Sequence, residues 1–369
     1  MKMPAPVHTH TTAAAIVKWY EKQTDEPRPH LGASEIGKPC DRALWYSFRW
    51  VTRKQFPGRI KRLFNTGFRE EVRFLEELRG IGAEVYDRDP DTKQQHRFSA
   101  VGGHFGGSCD AIGRGLPEAP KSWAVIEFKT HGAKSFGELT KKGVEEAKPE
   151  HYAQMQVYMG LAELERALYL AVNKDTDELH SEWIHFDKDA FTALLNRAEK
   201  IIRANEPPSG ISTDPAWYQC KFCDHAATCH GDIAAAKSCR TCVHASPVEG
   251  AWHCESQARD LSFEEQRTGC RFHLLIPSLV PYADAIDGGE GFVKYQHKDS
   301  GLIFANCTED ADRSEENMGT DILACFTSAE LGIAMRKIVA DNEFAAFKNA
   351  FPGSRLVGSS VTEDEAIPF

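Results

Sequence analysis

Along residues 124–131, AVIEFKTH, three apolar positions give way to an alternation that puts Glu127 and Lys129 on one face of a strand and Phe128 on the other. A helical period governs NTGFREEVRFLEELRGIG (65–82), where Phe68, Val72, Leu75 and Leu78 share a face and Gly80 and Gly82 end the run. The same reading predicts a short helix over 12–22 and a helix over 32–50, capped near Ser34 and broken at Pro39. It predicts a strand at AEVYDRDP, strand, Gly-rich turn and strand over 96–115, a strand at SWAVIEFKTH, a helix over 148–165 and a strand over 166–176. Residues 180–205 follow as a short strand and a helix. EPPSGISTDPAWY (206–218) marks a boundary, and cysteines crowd 219–273. From about 283 a small α+β module is expected, with a hairpin over 292–307 around Asp299-Ser300-Gly301 and a helix near 328–340. The order of elements gives an α/β fold: a small mixed sheet with flanking helices, then a cysteine-rich region, then the α+β module. The expected divisions are 1–30, 31–232, 233–280 and 281–369.

Composition narrows the function classes. The 369 residues are 41% hydrophobic and 27% charged, and no apolar run reaches the ~20 residues of a membrane span. MKMPAPVHTHTT lacks a signal-peptide core, so a soluble cytoplasmic protein without a membrane partner is expected. The net charge of −10 argues against a polyanion binder over the whole surface. Between Arg42 and Arg69, however, there is no acidic residue. Arg42, Arg49, Arg53, Lys54, Arg59, Lys61, Arg62 and Arg69 are interleaved there with Trp45, Tyr46, Phe48, Trp50 and Phe56. Cations that take phosphates beside rings that stack bases suggest a nucleic-acid surface.

The charged end of the 124–131 strand acquires a purpose when other acids are added. Asp110 follows a Gly-rich strand 17 residues before Glu127. Neighbouring hairpin strands would bring both carboxylates to one ion. Mg²⁺ takes hard oxygen ligands, which two carboxylates, the Phe128 carbonyl and water could supply. Lys129 could orient an attacking water and offset charge on a phosphorane-like transition state. Glu71 could reach in from the preceding helix.

D110-x16-E127-x-K129 resembles the signature of the PD-(D/E)XK nuclease superfamily, with Cys109 where a proline often stands. Gly67-Phe-Arg-Glu-Glu71 resembles that superfamily's helix motif, and Gly32-Ala-Ser-Glu35-Ile its N-terminal helix in the phage lambda-type exonucleases. HYAQMQVYM (151–159) resembles the glutamine motif of RecB-like nucleases. The four motifs stand in order across roughly residues 30–205. The resemblance implies a restriction-endonuclease-like sheet and a Mg²⁺- or Mn²⁺-dependent deoxyribonuclease. Glu71, Asp110, Glu127 and the Phe128 carbonyl would hold the metal, Lys129 would be catalytic, and Gln154 would hold the lysine or the phosphate. It further implies DNA ends or single strands as substrate, a role in phage recombination or DNA repair inside a bacterial host, and a single-strand-annealing or recombination protein as partner. An endonuclease of the same fold and a non-catalytic iron–sulfur DNA-binding protein are the alternatives. Glu70 competes with Glu71, while Gln156, His104 and His131 are read as structural.

Eleven cysteines in a chain expected to be reduced point to metal rather than disulfides. Cys220, Cys223 and Cys229 form a tight trio, with Cys40 far upstream. This arrangement resembles the iron–sulfur nucleases, namely AddB and the CRISPR-adaptation exonucleases. There, four such cysteines hold a 4Fe–4S cluster that closes the nuclease domain. Soft thiolates also admit Zn²⁺, and that choice stays open. Cys239-x2-Cys242-x11-Cys254-x15-Cys270 reads as a second site, a structural zinc centre of four cysteines, for which His244, His253 or His273 could replace one ligand. Cys307 and Cys325 read as core residues.

Overall fold

The structure is a computed structural model that describes residues 11–53, 55–231, 233–319, 321–322 and 324–331. It is a mixed α/β protein made of two compact units. The first comprises the chain up to Phe48, Arg53–Ala204 and Pro247–Gly250; the second comprises Arg49–Thr52, Asn205–Ser246 and the residues from Ala251 onward. The division after Ala204 falls at the start of the Pro/Gly/Ser stretch, ahead of the expected boundary at 232.

In the first unit, helices α1 (Thr11–Glu21), α2 (Asp41–Phe48) and α3 (Gly58–Gly80) precede most of the strands. A small sheet joins β1 (Leu31–Gly32), β3 (Arg97–Ala100) and β4 (Phe105–Ser108). The main sheet has the order β2-β5-β6-β7-β8, from Glu84–Tyr86, Ala111–Arg114, Ala124–His131, Arg166–Asn173 and Leu179–His185. Only β6 and β7 run parallel; the other pairs are antiparallel. Both central strands are buried for most of their length, which explains their continuous apolar runs. One face carries Ile126, Phe128, Leu168, Leu170 and Val172, which pack against Phe74, Leu75 and Leu78 of α3. Phe74 stacks on Phe128 with ring centroids 5.1 Å apart. The opposite face, carrying Glu127, Lys129 and Tyr169, receives α5 (Pro149–Ala162), flanked by α4 (Ala133–Ala147) and α6 (Lys188–Arg203). A Cβ on Gly160 would lie 2.4 Å from the Phe191 ring, so glycine is what lets α5 and α6 approach.

Four expectations are corrected. Residues 33–39 form turns rather than a helix, because Arg197 of α6 claims the Ile36 and Lys38 carbonyls and the Asp41 carboxylate. Helix α3 starts earlier than 65, and its buried stripe is Phe74, Leu75 and Leu78; Phe68 and Val72 are exposed. Helix α4 was not foreseen, since Gly137 and Gly143 interrupt its period and Gly143 has φ +77°. The aromatic residues Trp45, Tyr46, Phe48 and Trp50 are buried core rather than a base-stacking surface.

The second unit contains the short helices α7 (Tyr218–Lys221) and α8 (Ala226–Cys229), then a β-hairpin of Ala251–Cys254 with Arg259–Leu261. A four-stranded sheet follows, from Ala283–Gly289, Phe292–His297, Ile303–Cys307 and Ala324–Phe326. The hairpin expected over 292–307 is present. Most of the helix expected near 328–340 lies outside the described residues. No helix among the described residues is long and apolar enough to cross a membrane.

Phe128→Ala removes a buried ring that couples α3 to the sheet. Urea denaturation should show a loss of about 3–5 kcal/mol. A loss below about 1 kcal/mol would contradict this packing.

Candidate active site

Antiparallel pairing of Ala111 with Ile126 places Asp110 next to Glu127 across the β5–β6 hairpin. Asp110 Oδ2 accepts the Phe128 N–H at 2.7 Å, which anchors the carboxylate at the strand end. Lys129 Nζ reaches Glu127 Oε1 along the same strand face. Glu71 sits one turn before the Phe74–Phe128 stack, and its charge acts on Glu127 and Lys129. Glu70 instead pairs with Arg73 at 3.5 Å, so Glu71 is the acid of α3 that joins the cluster.

Three carboxylates therefore share one ammonium. Burial raises the pKa of Asp110, opposed by Lys129 and the Phe128 N–H. Burial and then Asp110 raise Glu71. Glu127, 1% exposed, is pushed up to about 7 by burial and by Asp110, with Lys129 opposing and Glu71 adding to the rise. Burial pulls Lys129 down, but the three carboxylates outweigh it and hold it above its ordinary value. The ammonium stays charged while the site retains a surplus of negative charge.

Glu127 Oε2 is buried and has no hydrogen-bond partner. A buried carboxylate oxygen without a partner costs stability unless a cation or donor meets it. Among the described residues, no three or more His, Cys, Asp and Glu side chains are already gathered as a metal cage. The chain's own donors account for this: Lys129 takes one Glu127 oxygen, and the Phe128 N–H takes one Asp110 oxygen. The partnerless oxygen, the excess negative charge and the all-oxygen donor set nevertheless fit a hard divalent cation.

Helix α5 closes the site from the other side. Gln154 is buried and donates to Tyr158 Oη at 3.4 Å. Burial and the Glu127 charge push the Tyr158 phenol above its ordinary pKa. A Cβ on Gly107 would lie 2.6 Å from Tyr158 Oη, so Gly107 makes room for that hydroxyl. Gln156 faces elsewhere, donating to the His185 carbonyl at 2.8 Å and accepting the Asp187 N–H.

Sequence reasoning missed one group. Tyr169 pairs with Glu127 across β6–β7, and its hydroxyl lies 2.8 Å from His131 Nε2 and 2.9 Å from His151 Nδ1. Burial and the Lys129 and Lys148 charges lower His131 to about 4 and His151 to about 3, so both rings are neutral. One hydroxyl proton serves at most one of the two nitrogens, so at least one ring must present its N–H. Only the strand register could have revealed this trio. His104, read as structural, lies 2.6 Å from the Val248 carbonyl through Nε2.

The basic stretch divides. Arg59, Arg62 and Arg69 are exposed on α3, Arg53 is exposed and Arg42 is half-buried. Lys61 is not on the surface: it is buried, pairs with Asp25 at 2.8 Å and donates to the Gln23 carbonyl. Arg49 is 2% exposed in the second unit, where it donates to the Arg240 and Ala245 carbonyls. Lys54 lies outside the described residues. Cys40 belongs to the first unit and Cys220, Cys223 and Cys229 to the second.

No family model and no curated protein matches the chain. Among solved structures it is similar to SSO0001, at 18% identity over 59% of this chain and 94% of that one, with a TM-score of 0.35. It is similar to the alkaline exonuclease LHK-Exo of Laribacter hongkongensis, at 16% identity over 52% and 90%, TM-score 0.35. It is also similar to a phage-related exonuclease of Haemophilus somnus 129PT, at 16% identity over 47% and 92%, TM-score 0.33. These likenesses are weak, and nothing about the site is taken from them.

With raised carboxylate pKa values, the folded chain binds more protons than the unfolded chain between about pH 4 and about 7. Stability from these groups is present below the ordinary carboxylate range and is lost as pH rises through about 7. Metal-free Glu127→Gln should therefore melt several degrees above wild type at about pH 8, with the gap closing toward about pH 5. Equal or lower melting of the variant at the higher pH would contradict the electrostatics.

Proposed function

We propose that the chain is a divalent-metal-dependent nuclease that hydrolyses DNA phosphodiester bonds from strand ends. The observation that carries this reading is the buried trio Glu71, Asp110 and Glu127 around one ammonium, with Glu127 Oε2 left without a partner. These residues would hold Mg²⁺ or Mn²⁺, which when bound supplies a Lewis acid for the phosphate and a water acidified enough to attack.

The chain's own groups do the rest. Lys129 presents a fixed positive charge to the non-bridging oxygens, where negative charge grows in the transition state. Its raised pKa keeps it protonated across the working range. Asp110 is oriented by the Phe128 N–H, so its free oxygen faces the shared site without loss of rotamer freedom on binding. Gln154 and Tyr158 supply polar groups on the α5 side, suited to a phosphate oxygen or to the lysine. Exposed Arg59, Arg62 and Arg69 on α3, with exposed Phe64 and Phe68 on the same helix, form the cationic and aromatic approach that leads along α3 to Glu71. Preference for ends, and a place in recombination or repair, follow from the motif resemblance of residues 30–205.

End-labelled linear duplex, circular duplex and single strands, each with Mg²⁺, Mn²⁺ or EDTA, test the reading. Linear DNA should be degraded with metal and untouched in EDTA, while circular DNA should survive. Glu127→Gln and Lys129→Met should each lose about 10²–10³-fold or more in rate while keeping the wild-type circular dichroism. Wild-type turnover in either variant, or cleavage in EDTA, would overturn it.

A further inference from the structure

The second unit contains four cysteines that the nuclease reading does not use. Cys239 and Cys242 flank a single 3-10 turn, closed by the Cys242 N–H on the Cys239 carbonyl at 3.1 Å. Cys254 ends the first strand of the 251–261 hairpin, opposite Arg259. Cys270 follows the helix Phe263–Thr268, whose Glu265 carbonyl accepts the Cys239 thiol at 3.3 Å. A bridge between Cys242 and Leu275 lays the segment after Cys270 along the 239–242 turn. The turn, the hairpin and the segment after the helix thus deliver four thiols to the same neighbourhood, where Cys239 feels the charge of Cys242, Cys270 and Cys254. Cys239, Cys242 and Cys254 are buried and Cys270 is partly so.

Two further observations point to thiolates rather than packed thiols. The backbone N–H groups of His244 and Leu274 are directed at the Cys242 sulfur, an arrangement that stabilises a sulfur anion. Two buried guanidinium groups stand beside the cluster. Arg240 is wedged at 3.7 Å and 4.7 Å from the ring centroids of Trp50 and Trp252, and Arg49 lies within the electrostatic reach of Cys242. A zinc ion with four thiolates carries a net negative charge, and adjacent buried cations lower the cost of placing it in a low-dielectric interior.

The histidines His273 and His253 are committed elsewhere. His273 Nε2 lies 2.8 Å from the Ser238 carbonyl, and His253 Nδ1 lies 2.8 Å from Asp260 Oδ1.

We propose that Cys239, Cys242, Cys254 and Cys270 bind one structural zinc ion, charge-balanced by Arg49 and Arg240, that ties the 239–242 turn, the 251–261 hairpin and the segment after the 263–268 helix together. Binding would draw the four sulfurs inward, with loss of the thiol protons to solvent. The proposal stands independently of the nuclease reading, since none of these residues lies in the first unit.

The full chain, purified from zinc-supplemented culture, should carry one zinc ion per molecule by elemental analysis. X-ray absorption at the zinc edge should show four sulfurs at about 2.3 Å. Cys254→Ser and Cys270→Ser should each lose the zinc and melt lower, whereas Cys307→Ser and Cys220→Ser should retain it. Should the serine variants not accumulate as soluble protein, wild-type chain loaded with cobalt(II) should give tetrahedral ligand-field bands and thiolate charge transfer. A zinc-free, cobalt-silent wild type would overturn the proposal. So would zinc that survives Cys254→Ser and Cys270→Ser but is lost from Cys220→Ser.

Discussion

Three carboxylates crowd one ammonium at the buried end of a β-hairpin, and the rest of the first unit is arranged around that imbalance. Burial alone would drive Glu71, Asp110 and Glu127 toward their neutral forms. Lys129 offsets one of the three charges and leaves a site whose lowest-energy occupant is a further cation. A chain selected for stability alone would put an apolar residue at Glu127, which is 1% exposed at the centre of the sheet. The cost is intelligible if the site exists to hold a cation against a phosphate.

The fold keeps this site rigid through its opposite faces. Phe128, between the two charged residues of β6, is locked by its stack on Phe74, which fixes the strand that carries Glu127 and Lys129. The same contact sets the turn of α3 from which Glu71 extends. On the other face, α5 supplies Gln154 and Tyr158, and the Tyr169 hydroxyl joins His131 to His151 beneath the lysine. The acids therefore come from a helix, a hairpin end and a central strand, each held by packing that does not involve the site itself.

Much of this was legible from residue order. Alternation in AVIEFKTH placed Glu127 and Lys129 together, and the spacing to Asp110 gave the adjacent strand, because hairpin geometry leaves few other ways to pair those segments. The glutamine helix was legible for the same reason: a periodic run closely follows a strand. What failed were inferences that needed tertiary partners. Trp45, Tyr46 and Phe48 read as a stacking surface because they alternate with arginines, yet they fill the core of the first unit. Lys61 looked like a phosphate contact, but Asp25 and the Gln23 carbonyl hold it inside. Phe68 and Val72 fitted a buried stripe until the helix proved longer, which shifted the packed face to Phe74, Leu75 and Leu78. The Tyr169 group was invisible because it depends on which residue of β7 lies opposite Glu127, a matter of register that no local pattern encodes.

The most direct test of the central claim is the position of the cation. Crystals of the full chain soaked in Mn²⁺ and measured at the manganese edge should show one anomalous peak at ligating distance from carboxylate oxygens of Asp110 and Glu127. Glu71 should face the peak, and Lys129 should have swung off Glu127 Oε1. Crystals that bind Mn²⁺ elsewhere while leaving the space between Asp110 and Glu127 without density would contradict the account.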